Sequence, residues 1–187
     1  MIKTLLVYAH LISACVAIGI LLMQDIALAK WQGRPMDEES NSLLKRNAGI
    51  VTHALAVLWV TGLAIVVLGQ LDNPAYLMNQ KLWAKFTVVS VLTINGLFLH
   101  FYSFPRLASA GGFIGNKTSH QIFVLITAVI SLVSWLYACY LGIARPWNNV
   151  ASYEYVMSIY GLIIGGVALG ALAIWEEMRG RFELKLK

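Results

Sequence analysis

The chain has 187 residues, 59% of them hydrophobic and 12% charged, with a mean hydropathy of +0.71, whereas soluble domains run near half apolar and about a quarter charged. That excludes a soluble globular domain, a disordered chain and a collagen-like chain. Two cysteines exclude a disulfide scaffold, and 14 Lys and Arg against 9 Asp and Glu, with no dense basic run, exclude a nucleic-acid-binding module.

A hydrocarbon core of about 30 Å takes about 20 apolar residues per helical crossing, so a chain of this length accommodates roughly five or six short-looped helices. No room is left for a separate catalytic domain. Apolar runs of spanning length fall at residues 4–28, 48–70, 82–104, 120–144 and 154–175. The first contains Ile12-Ser13-Ala14-Cys15, which imitates a lipoprotein signal ending at a modifiable cysteine. It stays apolar beyond Cys15 through Val16, Ile18, Ile20 and Leu21, where a cleaved signal turns polar. It reads as a spanning helix with His10, Ala14, Ala17, Leu21 and Gln24 along one face and Asp25 near its end.

Trp31 to Asn47 follows as a solvated connection, with at most a short surface helix. The second span carries His53 near its start and Trp59 near its middle. The third opens on Lys81-Leu82-Trp83-Ala84-Lys85 and closes on His100, with Arg106 just beyond. Gly111-Gly112-Phe113-Ile114-Gly115 is a flexible connector, since no strand precedes it. His120 begins the fourth span, and Trp135 lies near its middle. The fifth contains Gly161, Gly165, Gly166 and Gly170, two small-xxx-small pairs expected to pack within the bundle, with a homo-oligomer interface as the alternative. Cys15 and Cys139 both fall in apolar runs and read as packed thiols. Continuous runs of this length are not barrel strands. The predicted fold is all-α: one polytopic transmembrane domain over residues 1–187, five helices in a bundle.

Ten of the 14 Lys and Arg fall on the side of the first loop, the third loop and the C-terminal tail; Lys3, Lys81, Lys85 and Arg145 fall on the other. The positive-inside rule then places the N-terminus outside and the C-terminus in the cytoplasm of a bacterial inner membrane. Trp31 and Trp175 mark the inner interface, and Trp83 and Trp147 the outer one.

Ionisable residues inside spans are costly and mark functional positions. All four histidines qualify, each on a different helix. His53 and His100 both lie roughly 6 to 8 Å deep from the inner side, with His120 and Asp25 near that level, while His10 and Lys85 share the outer half. Lys85, Leu92, Gly96 and His100 fall within about 80° of arc and predict one interior face of the third helix. Gly96 is small enough for a flat ring to lie against it, and Asn95 beside it offers an amide. Facing histidines in a bundle core suit haem iron. His53 with His100 is the expected axial pair, with His120 as the alternative to either. Arg46, Arg106 and Lys117 are placed to meet propionates, and His10 with Lys85 forms a second site. A zinc or copper site would want thiolate, carboxylate or thioether ligands at tight spacing, and neither H-E-x-x-H nor Met-x-x-Met occurs. Asp25 with His53, His100 and His120 remains a possible small metal site.

Leu5-Leu6-Val7-Tyr8-Ala9-His10, Lys81-Leu82-Trp83-Ala84-Lys85 and Trp59-Val60-Thr61-Gly62-Leu63 resemble segments of the HemJ-type protoporphyrinogen IX oxidases and the wider set of small membrane proteins related to the copper-resistance protein CopD. The resemblance covers roughly the first four helices. It implies bound haem b and functional roles for a helix-1 histidine and a helix-3 lysine, here His10 and Lys85. The chain departs from the family where a W-x-A-G segment and a second helix-1 histidine are expected; it reads Val16-Ala17-Ile18-Gly19 and ends Met23-Gln24-Asp25.

The expected function is a haem-b-binding (one or two haems) inner-membrane electron-transfer protein or oxidoreductase using a membrane-soluble donor or acceptor, quinone- or porphyrinogen-like. The histidines hold iron, Lys85 supplies a positive charge and Asp25 a proton. The alternatives are CopD-like handling or transport of copper or another metal ion, and a non-catalytic subunit whose histidines only join helices.

Overall fold

The computed structural model describes residues 1–30, 36–108, 113 and 115–185. Expectations attached to Trp31, Gly111, Gly112 and Ile114 lie outside the described residues. Five helices are long and apolar enough to cross a membrane. They are α1 (Ile2–Lys30), α2 (Glu38–Asp72), α3 (Gln80–Leu107), α4 (Thr118–Ile143) and α5 (Tyr153–Lys185), with short 3-10 turns at Tyr76–Met78 and Arg145–Trp147. No strand occurs among the described residues. The chain is an all-α, multi-pass membrane bundle.

Two helices run past their apolar stretches. The sequence places the start of the second span at residue 48 and leaves the preceding segment as a loop, yet α2 begins at Glu38. Asp37 caps it, its side chain accepting a hydrogen bond from the Ser40 backbone N–H at 2.9 Å, with Glu38 and Glu39 in the first turn. The Ser40 side chain and backbone hold the Asp37 carboxyl below the usual carboxylate range. At the other end α5 continues beyond Trp175 to Lys185. Apolarity marks where a helix meets lipid, whereas caps and breakers mark where it ends.

α3 is not uniform. Residues Leu99–Ser103 widen into a π turn just before Pro105. Proline has no N–H, and its ring collides with the carbonyl four residues back in a regular helix, which the wider turn relieves.

α1 and α2 form an antiparallel pair, closed at one end by Lys3 and Asp72 at 2.8 Å. α3, α4 and α5 form the second layer. Its core joins Val88 of α3 to Val133, Tyr137 and Leu141 of α4 and Val156 and Tyr160 of α5. A second cluster ties the layers together through Ala17 and Leu21 of α1, Ala54 and Leu58 of α2, Leu92 of α3 and Trp135 of α4.

Polar side chains satisfy one another across helices, as a medium without water requires. Trp59 Nε1 donates to Thr93 Oγ1 at 3.0 Å, Asn95 Nδ2 to the Thr127 carbonyl at 2.9 Å, and Tyr137 Oη to the Val156 carbonyl at 2.7 Å. Lys81 Nζ donates to the Ala144 carbonyl at 2.9 Å, and Trp175 Nε1 to Gln121 Oε1 at 3.0 Å. The starts of α1, α3 and α5 therefore share one end of the bundle, here called the amino end.

Two packing expectations are overturned. Cys15 and Cys139 are exposed and unpaired. The glycines of α5 do not pack within the bundle: a Cβ at Gly161, Gly165, Gly166 or Gly170 would meet nothing within 4 Å. The inward side of α5 is instead carried by Val156, Tyr160 and, beside them, Ile164 and Ala168, leaving the glycines on the outer face.

Candidate functional site

α1 carries His10 on its inward line, as expected from the sequence, because Ala17 and Leu21 on the same line are buried in the second core cluster. His10 Nδ1 lies 2.8 Å from Thr61 Oγ1 of α2. The Thr61 hydroxyl is itself 2.7 Å from the Val57 carbonyl oxygen of its own helix. A hydroxyl has one proton, and a threonine inside a helix gives it to the carbonyl one turn back. Thr61 then accepts from His10, which assigns the histidine proton to Nδ1 and leaves a lone pair on Nε2. Gly62 permits this seat. A Cβ there would stand 3.3 Å from His10 Cε1, closer than ordinary contact.

Lys85 reaches the same region from α3. Its ammonium lies 3.6 Å from where a Cβ on Gly142 of α4 would stand, and it is near enough to act electrostatically on His10 and Lys81. Among the described residues no carboxylate and no hydrogen-bond acceptor partners it, whereas Lys81 is bound to the Ala144 carbonyl. Four helices thus meet around an imidazole with a free lone pair and a cation that no carboxylate meets among the described residues, with the Cys139 thiol near enough to act on it electrostatically. Sequence reasoning paired His10 with Lys85 but assigned nothing to Thr61, Gly62 or Gly142. Thr61 and Gly62 were legible only as part of the Trp59–Leu63 resemblance, and Gly142 gave no signal.

The remaining histidines are placed differently. The buried line of α3 runs through Ala84, Val88 and Leu92. On a helical wheel centred on Val88, Lys85 stands about 60° to one side and His100 about 120° away. The single interior face expected for Lys85, Leu92, Gly96 and His100 is therefore split, with the lysine flanking the core and His100 exposed. Gly96 borders open space.

The Trp59 to Thr93 bond sets the antiparallel register of α2 and α3. His53 lies six residues from Trp59 and His100 seven from Thr93 towards the end of the bundle opposite the amino end, the carboxy end, so the matched depth follows from that bond. Their directions do not match. His53 is exposed, turned about 120° around α2 from Trp59, and its Nδ1 donates to the Gly49 carbonyl at 2.7 Å. His100 stands edge-on to Phe101, with ring centroids 5.0 Å apart. No hydrogen bond or ring contact joins the two histidines among the described residues.

His120 is half-buried beside Tyr102, with centroids 5.9 Å apart, and the Arg106 guanidinium stacks 3.3 Å over the same tyrosine ring. Asp25 is half-buried without a hydrogen bond or ion pair among the described residues. Asp25, His53, His100 and His120 do not come together as a metal site: no group of three or more His, Cys, Asp and Glu converges among the described residues. Asn95, the expected amide at mid-depth, is committed to the Thr127 carbonyl.

The class defined by these features is a five-helix membrane bundle with a polar centre near its amino end. No protein family, curated protein or solved structure matches the chain.

Proposed function

We propose that the chain is a haem-b-binding inner-membrane protein that moves electrons to or from a membrane-soluble partner, quinone- or porphyrinogen-like, with His10, Thr61 and Lys85 as its functional centre. The observation that carries this reading is the His10 to Thr61 hydrogen bond. It holds the imidazole in the tautomer whose Nε2 can meet iron, as the carbonyl- or hydroxyl-bonded nitrogen of a ligating histidine commonly does. The residues fit haem b in a second respect: Lys85 offers a positive charge within the span, with no carboxylate among the described residues to neutralise it, where a propionate would be stabilised. When bound, haem supplies one-electron chemistry at a potential set by its ligand and burial.

The chain's own residues do the rest. Thr61 and Gly62 orient His10, Lys85 draws an anionic group into the bundle, and Lys81, tied to the Ala144 carbonyl, keeps a second positive charge beside it. His53 and His100, each with a free ring nitrogen at the same depth, stand apart from this centre, as does Asp25, and are the candidates for contact with a partner at the carboxy end. Copper or metal-ion handling in the CopD manner is the weaker reading, because no group of three or more His, Cys, Asp and Glu converges among the described residues.

The test is the absorption spectrum of the purified protein. A Soret band with a reducible α-band is expected; a colourless protein carrying stoichiometric copper overturns the haem reading.

The charge bias places the amino end outside and the carboxy end in the cytoplasm. Reporter fusions should be active outside at residue 1 and inside beyond residue 180. The opposite pattern would reverse the sidedness of the His10 and Lys85 centre.

A further inference from the structure

We infer that the bundle stands open sideways to the bilayer between α1 and α4, and that the opening admits a lipid-soluble partner bearing a carboxylate, which Lys85 receives. The two helices meet midway along their length, where Ala17 and Leu21 of α1 share a core cluster with Leu132 and Trp135 of α4. Towards the amino end they part. On α4 the Trp135 line continues through Cys139 and Gly142, about 40° and 20° from it on a helical wheel, and both are exposed whereas Trp135 is buried. On α1 the trend is the same: Ala17 is fully buried, and His10, about two turns nearer the amino end, is half-buried. A wedge results, closed at Trp135 and widening over about 10 Å of helix to Gly142.

The floor of the wedge carries the polar groups. Lys85 Nζ is the atom that a Cβ on Gly142 would meet, at 3.6 Å, and the imidazole of His10 is near enough to interact with the same ammonium. A glycine in the exposed wall leaves that ammonium beside the opening instead of beneath a side chain. Lys81 Nζ, 7% exposed and bonded to the Ala144 carbonyl, ties α3 to α4 at the end that faces water, so the way in is from the side. Lys85 lies about 7 Å along α3 from its start at Gln80, a level at which the mouth of the wedge meets acyl chains and not headgroups.

Charge and depth select the occupant. An ammonium inside a span is costly unless an anion meets it, and among the described residues no carboxylate does. Lys81 is committed to a carbonyl, so one positive charge is on offer and a singly charged group matches it. A phosphate monoester carries about −1.5 to −2 at pH 7, and the phosphodiester of a bilayer lipid is held in the headgroup layer, above the level of Lys85. A carboxylate on a lipophilic body meets both conditions. Of the two carboxylates the proposed function supplies, a haem propionate and a group on the membrane-soluble partner, the opening favours the second, because a resident group needs no standing way in. The inference rests on that function for what becomes of the partner, but not for its binding.

Cys139 in the wall of the wedge serves as the reporter, and Cys15, exposed on α1, as the control. The full-length protein in neutral detergent is alkylated with N-ethylmaleimide in the presence of dodecanoate, dodecanol or dodecyl phosphate, and modification of each cysteine is followed by peptide mass spectrometry. Dodecanoate should slow alkylation of Cys139 at least tenfold and leave Cys15 unchanged, and the other two probes should not. Lys85→Met removes the charge and Gly142→Leu fills the wall; each should raise the dodecanoate concentration needed for protection at least tenfold while keeping the helical circular dichroism. Absence of protection in wild type, equal protection by dodecanol, or wild-type protection in Gly142→Leu overturns the opening. Equal protection by dodecyl phosphate overturns the carboxylate, and protection seen only in protein prepared free of haem hands Lys85 to a propionate and overturns the partner. The assay needs neither haem nor turnover: a colourless protein that is still protected removes the electron-transfer reading and keeps the opening, and a haem protein without protection does the reverse.

Discussion

His10→Ala is expected to remove the haem spectrum, and Lys85→Met to cut turnover with a quinone or porphyrinogen donor by roughly 30-fold or more, on the scale of truncating one partner of a buried charge pair. The first effect follows from loss of the ring nitrogen that Thr61 leaves uncommitted. The second follows from position. Lys85 stands on the flank of the α3 core, and its ammonium reaches towards Gly142 with no carboxylate to meet it among the described residues. A lysine held only to let its head reach the headgroup layer would be indifferent to the exchange of ammonium for guanidinium. A cation that meets an anionic group between four helices is not, because guanidinium is planar and wider and the Lys85 ammonium already stands 3.6 Å from where a Cβ on Gly142 would be. Lys85→Arg should therefore retain the charge yet recover turnover only in part. Haem content is read from the pyridine haemochrome in every variant, which separates loss of the group from loss of its use. If Lys85→Met keeps both haem and wild-type turnover, Lys85 is a surface-seeking lysine and the proposed centre contracts to His10 and Thr61.

Much of the architecture was legible because hydropathy over a spanning length is a strong signal, and all five apolar runs became helices. The ends of α2 and α5 were not, since a polar extension, begun at α2 by the Asp37 cap and at α5 running on to Lys185, carries no hydropathy mark. The pairing of His10 with Lys85 followed from depth counted along two helices near one end of the bundle, where a small error in register leaves both side chains in reach. The split of the α3 face did not follow from an 80° arc alone. An arc does not say which of its edges the neighbouring helices cover, and α4 covers the side of Val88 and Asn95, leaving His100 beyond the packed edge. For the same reason the glycines of α5 were misjudged. Small residues permit close approach from any neighbour, and here α4 approaches Val156 and Tyr160 instead.

Thr61→Val is expected to separate orientation from ligation. Valine matches threonine in shape, so the α1–α2 packing around Ala54 and Leu58 should persist, and loss of one interhelical hydrogen bond in a membrane costs only about 0.6 kcal/mol on average. The fold should survive. His10 then loses the hydroxyl that accepts from Nδ1 and keeps only the Leu58 backbone as a nearby hydrogen-bonding group, so the ring is freer to rotate or to move its proton to Nε2, the nitrogen that must stay bare to meet iron. Partners that orient a ligating histidine typically contribute about 10- to 100-fold in affinity or activity, and a haem affinity lowered within that range is the expected result. Thr61→Ser restores the hydroxyl without the methyl and should recover most of the affinity, because its single proton can again go to the Val57 carbonyl. Nitrogen-15 chemical shifts of the His10 ring in the haem-free protein provide a readout that packing alone would not move. In wild type and Thr61→Ser they should report Nδ1 protonated and Nε2 bare, and in Thr61→Val a mixture of tautomers. A wild-type ring already protonated on Nε2 would reverse the direction of the hydrogen bond, make Thr61 the donor to His10, and exclude Nε2 as the nitrogen that meets a metal.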